Sequence, residues 1–133
     1  MKQLYENEYM KILSDQKQGI VSVEIKKCCD DIQKLDEHLS IINQYVKDTR
    51  GEHIILQVEK LHEISKESLL NEKFLPFVGS CGVKDIAVIT GENIQVKTLI
   101  SELGTYIAPV KEKYQIITES FETYDQAVDW INS

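Results

Sequence analysis

The sequence predicts an α/β fold, a mixed sheet of about five strands with an N-terminal β-hairpin and flanking helices. Three observations lead there. Two short alternating runs near the N-terminus are joined by a polar connection. Two compact apolar runs, 54–56 and 86–89, have the signature of strands covered on both faces. Stretches of helical period lie between and after them.

The first two strands are Tyr9 to Leu13 and Ile20 to Ile25, linked by Asp15-Gln16-Lys17-Gln18-Gly19, which ends in a turn-competent glycine. In the second, Val21, Val23 and Ile25 alternate with Ser22 and Glu24, so one face is buried, the other is wet, and the strand belongs near an edge. From Asp30 the period changes to that of a long amphipathic helix, with Ile32, Leu35, Leu39, Ile42 and Val46 on one stripe. Asp30 can cap its start against Gln33, and Arg50-Gly51 supplies a favourable charge and a left-handed residue at its end.

His53 to Val58 follows as a central strand. Ser65 can cap a helix holding Leu69, Leu70, Phe74, Phe77 and Val78, kinked at Pro76 and ended by Gly79 or Gly82. After the strand Ile86 to Thr90, the residues Val96, Leu99, Ile100, Leu103 and Ile107 form the next helical face before Pro109. A fifth strand lies within Tyr114 to Phe121. The closing helix, Thr123 to Ile131, opens on a capping box of Thr123 and Gln126 and turns Tyr124, Ala127, Val128 and Ile131 to one side, with Trp130 beside them. The order is ββαβαβαβα, and crossover helices between strands favour parallel pairing after the hairpin. Ile55, Val88 and Trp130 are expected in the core.

At 133 residues the chain fits a single domain, 1–133, large enough to bury roughly two-thirds of its unfolded surface. Apolar residues make up 42% and charged residues 28%, the mixture of a globular chain without a disordered tract. The net charge of −7 disfavours nucleic acid and anionic membrane, both of which call for a basic surface. The start, MKQLYENEYMKIL, has no apolar signal region, and no window approaches the length of a membrane span, so a cytoplasmic protein without a transmembrane segment is expected. Cys28, Cys29 and Cys81 read as free thiols in a reducing compartment.

The strand in GVKDIAVITG and the ending SFETYDQAVDWINS, with its phenylalanine, alanine and tryptophan, resemble the SpoIIAA-like (STAS-type) family, which is related by fold to STAS and to lipid-binding Sec14-type domains. The resemblance covers roughly residues 8 to 132. It implies a non-enzymatic domain that binds a protein or a small ligand. In the sporulation anti-sigma-factor antagonists of this family, a serine in an Asp-Ser-Ser-Gly type stretch is phosphorylated at the start of the helix after the third strand. The matching stretch here is Glu63-Ile64-Ser65-Lys66-Glu67-Ser68, where Ser65 falls on the aspartate and Lys66 on the serine. The family's phosphoacceptor does not carry over, which leaves Ser65 and Ser68 as candidate regulatory phosphosites, with helix capping the plainer role for Ser65.

Other chemistry lacks its motif. No G-x-G-x-x-G follows a strand, and Gly91 is followed by Glu92, whose charge opposes phosphate, so a turn and helix start are expected there. His38, His53 and His62 are scattered, Cys28-Cys29 has no C-x-x-C spacing, and the His62-Glu63 pair meets Lys66 where a metalloprotease has its second histidine. No catalytic, cofactor or metal residues are therefore assigned. Cys81 is expected to be a small buried thiol, although a neighbouring Lys84 would favour its thiolate. Tyr45, Tyr106, Tyr114, Tyr124 and Trp130 fall on or beside apolar positions and are expected to pack, with a homodimer contact the other use of Trp130. The sequence thus points to a non-catalytic cytoplasmic regulatory or protein-binding module, working through a helix face or the sheet edge exposed by the hairpin. The alternative is a carrier of a lipid-like or other apolar small molecule, which requires an internal cavity.

Overall fold

A computed structural model of the protein describes residues 1–27, 32–60, 82–94, 96–98, 112 and 115–133, apart from the side chains of 32, 35 and 36. Six strands form one sheet in chain order: β1 Lys2–Glu6, β2 Met10–Asp15, β3 Ile20–Ile25, β4 His53–Gln57, β5 Asp85–Ile89 and β6 Ile117–Phe121. The first three are antiparallel neighbours and β3 to β6 are parallel. Two helices lie wholly within the described elements, α1 Ile32–Thr49 and α2 Tyr124–Ile131. The fold class is α/β with a mixed sheet, as the sequence predicts.

Among the described residues the strands number six rather than about five, because the chain already pairs at Lys2–Glu6. This strand hides from a period-two reading through a β-bulge: Gln3 opposes Leu13, but the next regular pair is Tyr5 with Ile12. The extra residue lets the consecutive Leu4 and Tyr5 both pack against one core cluster. One consequence corrects the expected edge. β3 lies inside the sheet between β2 and β4, and β1 covers the outer side of β2, so among the described strands the sheet ends at β1 and β6.

Register sorts the strand residues onto two faces. Ile12, Val23, Leu56 and Val88 run across one row, and Val21, Ile54 and Ile86 across the next on the same face. Against them α1 places Ile42 and Val46, both nearly inaccessible, as its apolar stripe requires. The opposite face carries Ile20, Ile55, Ala87 and Ile89, covered by α2 through Ala127 with Tyr124, Val128, Trp130 and Ile131 around it. The residues Ile54-Ile55-Leu56 therefore feed both faces, and Ile55 and Val88 are buried as expected. Trp130 is only partly buried. α2 packs on β5 and β6, the last two strands, so its indole rests over the rim of the sheet, 5.4 Å from the ring of Phe121.

Local connections follow the chemistry of their residues. Gly19, at φ 68°, closes the β2–β3 turn, and its carbonyl accepts the amides of Glu52 (2.8 Å) and His53 (3.0 Å), tying the hairpin to the start of β4. At the end of α1 the left-handed residue is Arg50, at φ 54°, and not Gly51. The Gly51 amide donates to Val46 and the Arg50 amide to Lys47, the paired bonds of a Schellman motif. Gly51 serves a steric need instead, since a Cβ there would stand 2.8 Å from Val21 Cγ2. After β5, Gly91 turns at φ 58° and Asn93 opens a helical turn, its Oδ1 accepting the Val96 amide at 3.3 Å, as expected for a turn and helix start. The expected cap Asp30 and the expected helix from Ser65 lie outside the described residues. No helix among those residues is long and apolar enough to cross a membrane.

Candidate functional site

The carboxyl ends of β5 and β6 open onto a wide-mouthed groove of about 670 Å³. Ligands of open parallel α/β sheets commonly bind at this end of the strands. Its base is held by Thr90, only 2% exposed, whose amide donates to the Phe121 carbonyl at 2.9 Å and whose hydroxyl is directed at the carbonyls of Gly91 and Phe121. This clamps the two strand ends together. Ser120, Phe121 and Glu122 leave β6 along one wall, Lys97 comes from the helical turn after Asn93, and Gln126 and Asp129 come from α2.

The α2 wall is fixed by its cap. Thr123 accepts the Gln126 amide at 3.3 Å, and Gln126 Oε1 accepts the amides of Thr123 (3.2 Å) and Glu122 (3.1 Å), which completes the predicted capping box. Gln126 is thus committed to the backbone, while Asp129, one turn later, stands exposed at the rim. Lys97 Nζ pairs with Glu122 Oε1 at 2.7 Å, with both side chains substantially exposed at 40% and 56%. Solvent screens such a pair, so an incoming charged group can displace it at little cost. The groove combines an aromatic ring with two carboxylates and one ammonium already partnered by one of them. Among the described residues its lining holds no histidine or cysteine, and the hydroxyl of Thr90 is turned to backbone carbonyls. This is a surface that can hold a cationic or aromatic group.

At the opposite end of the sheet, His53 and Asp85 are direct cross-strand partners in the parallel β4–β5 register. His53 Nδ1 lies 2.5 Å from Asp85 Oδ1, its Nε2 is 3.9 Å from Glu52 Oε2, and Lys84 Nζ is 3.6 Å from the same oxygen. Both ring nitrogens face carboxylates, an arrangement that pins the starts of two strands. His38 belongs to a third cluster, 5.1 Å from the Tyr9 ring and with its Nε2 3.3 Å from Asn7 Nδ2. Burial pushes the His38 imidazole below its ordinary pKa, against the pull of Glu37 and with the help of Lys34. Tyr45 packs with Tyr5 at 6.0 Å in the first core cluster and Tyr124 in the second, where burial raises its phenol, so both are packing residues as expected.

Ser65 and Ser68, Cys28, Cys29 and Cys81, His62, Tyr106 and Tyr114 lie outside the described residues. Among the described residues no three His, Cys, Asp or Glu side chains gather as metal ligands. Of the groove residues, the sequence singles out Gln126, as a cap, and Phe121, as part of the family resemblance. Lys97, Glu122 and Asp129 belong to separate segments with no motif joining them; the usable signal is position, beyond the carboxyl end of the strand Ile86 to Thr90, whose apolar run reads as covered on both faces, and beyond the end of the strand within Tyr114 to Phe121. Comparison with protein-family models, curated proteins and solved structures returned no match.

Proposed function

We propose that the protein is a non-catalytic regulatory module of SpoIIAA-like (STAS-type) character, acting in the cytoplasm, that binds a protein partner through the groove at the carboxyl ends of β5 and β6. The observation that carries this function is the composition of the groove: an aromatic ring, a rim of Glu122 and Asp129, and the side chains of Thr90 and Gln126 engaged in holding the backbone. Such a surface, acidic at its rim around an aromatic ring, is suited to recognising a partner. The family character rests on the residues of the resemblance, since GVKDIAVITG contributes β5 and Phe121, Ala127 and Trp130 lie in the cluster that seats α2 on it. Ile20, Ile55, Ala87 and Ala127 are at most 1% exposed between sheet and α2, which favours the binding module over a carrier with a hollow interior.

A peptide array tests the proposal. Peptides retained by the wild type and released by the double variant Glu122→Lys, Asp129→Lys support a protein-binding groove, and retention indifferent to that change rejects it. A co-purifying apolar molecule in native mass spectrometry assigns the carrier function instead. Turnover in a hydrolase and transferase screen that disappears with a groove substitution makes the protein an enzyme.

A further inference from the structure

We infer that the outer edge of β6 receives a basic, extended segment of a partner protein as a seventh strand. The inference rests on the binding function proposed above and names the partner's chemistry and its mode of docking. Strand parity identifies the available backbone. The Ile117 amide donates to Lys84 at 3.1 Å and the Phe121 carbonyl accepts from Thr90 at 2.9 Å, so residues 117, 119 and 121 turn their backbone groups toward β5. Thr118 and Ser120 turn theirs the other way, toward the end of the sheet, where no described strand pairs with them. Ile117 is 61% exposed, and Glu119 and Ser120 are exposed beside it.

The two ends of the sheet are guarded differently. β1 carries Lys2 and a bulge, devices that blunt an edge against pairing. β6 keeps an unbroken register with β5 over all five residues and holds neither lysine nor proline. Its charge is Glu119, with Glu122 following and Asp129 on the neighbouring helix. That charge selects the occupant. Antiparallel pairing of two copies through Thr118 and Ser120 places Glu119 opposite Glu119, and like charges directly opposed destabilise a strand pair. The net charge of −7 adds to the repulsion between copies. A partner strand with lysine or arginine opposite Glu119 replaces that repulsion by attraction, and its continuation reaches the acidic rim of the groove. Backbone bonds then supply affinity and the charges supply selectivity, as in other strand additions.

Two arrayed sets of extended decapeptides test this, both alternating β-branched residues with a charged residue, lysine in one set and glutamate in the other. The wild type is expected to retain the lysine set roughly 5- to 30-fold better, the span of one to two kcal/mol for a reversed cross-strand charge. The exposed charge reversal Glu119→Lys is expected to invert the preference, and amide exchange at Thr118 and Ser120 is expected to slow when a lysine peptide is bound. Failure to retain either set, retention unchanged by Glu119→Lys, or binding without protection of those two amides overturns the inference. Peptides whose retention depends on Glu122 and Asp129 but leaves the Thr118 and Ser120 amides unprotected overturn the strand addition while the groove function stands.

Discussion

Arg50 holds a conformation that L-residues adopt at a cost of roughly 1–2 kcal/mol, and it does so because the Schellman bonds at the end of α1 require a left-handed residue there. Glycine one position later does not relieve it and answers a different need, since a Cβ at Gly51 would stand 2.8 Å from Val21 Cγ2. Arg50→Gly is therefore expected to stabilise the fold by about 0.5–1 kcal/mol after the entropy of the unfolded glycine is subtracted. Gly51→Ala should destabilise it by about 1–3 kcal/mol by forcing α1 away from β3. Urea unfolding of the two variants checks both signs, and a stabilising Gly51→Ala would show that α1 shifts freely. His38 sets a second expectation. Its folded pKa lies below the ordinary imidazole value near 6.5, so the folded state resists a proton that the unfolded chain accepts. The stability this provides is present above about pH 6.5 and is lost as pH falls through the lower, folded pKa. Lys27 and Lys34, 5.0 and 5.7 Å from the centre of the neighbouring Tyr9 ring, bring further positive charge to the same cluster. Unfolding free energies measured from pH 7 to pH 5 should fall more steeply for the wild type than for His38→Gln, and parallel curves would remove His38 from the account.

At the scale of elements, legibility in the sequence tracks how local the deciding physics is. The strands β4 and β5 are readable because a residue buried on either face must be apolar, and each has three or four such residues in a row. α1 and α2 are readable from stripes of period 3.6 and from the Thr123–Gln126 box, which depends only on neighbours in the chain. β1 is not, because its bulge cancels the alternation by which strands are recognised. The Arg50–Gly51 assignment fails for a related reason: the sequence offers a glycine for the left-handed position, and the close approach of Val21, thirty residues away, claims it. The groove is tertiary throughout, assembled from Lys97, the end of β6 and α2. Trp130 likewise owes its partial exposure to the place of α2 over the last two strands. Full burial would give Trp130→Ala a cost of about 3–5 kcal/mol; with the indole over Phe121 at the rim, about 1–3 kcal/mol is expected. Urea unfolding decides between the two values, and a loss above 4 kcal/mol would place the indole in the core after all.

For the whole molecule, the sheet acts as a wall between two separate cores, α1 against one face and α2 against the other. Substitutions on opposite faces of such a wall share no packing partners, whereas neighbours on one face do. Ile12 in β2 and Ile89 in β5 lie on opposite faces and three strand spacings apart, roughly 14 Å. Ile54 and Ile86 are direct partners across β4 and β5 on the α1 face, both fully buried. Each Ile→Val change at these positions should cost about 0.5–1.5 kcal/mol, small enough for double variants to remain folded. The Ile12→Val, Ile89→Val pair is expected to be additive within about 0.5 kcal/mol, while Ile54→Val, Ile86→Val should depart from additivity by at least that much because the two side chains can settle into one shared space. Double-mutant cycles by urea unfolding measure both quantities. Strong coupling between Ile12 and Ile89 would mean that the sheet bends as one body and transmits packing from one face to the other, so that a strand added at β6 would be felt in the α1 core as well.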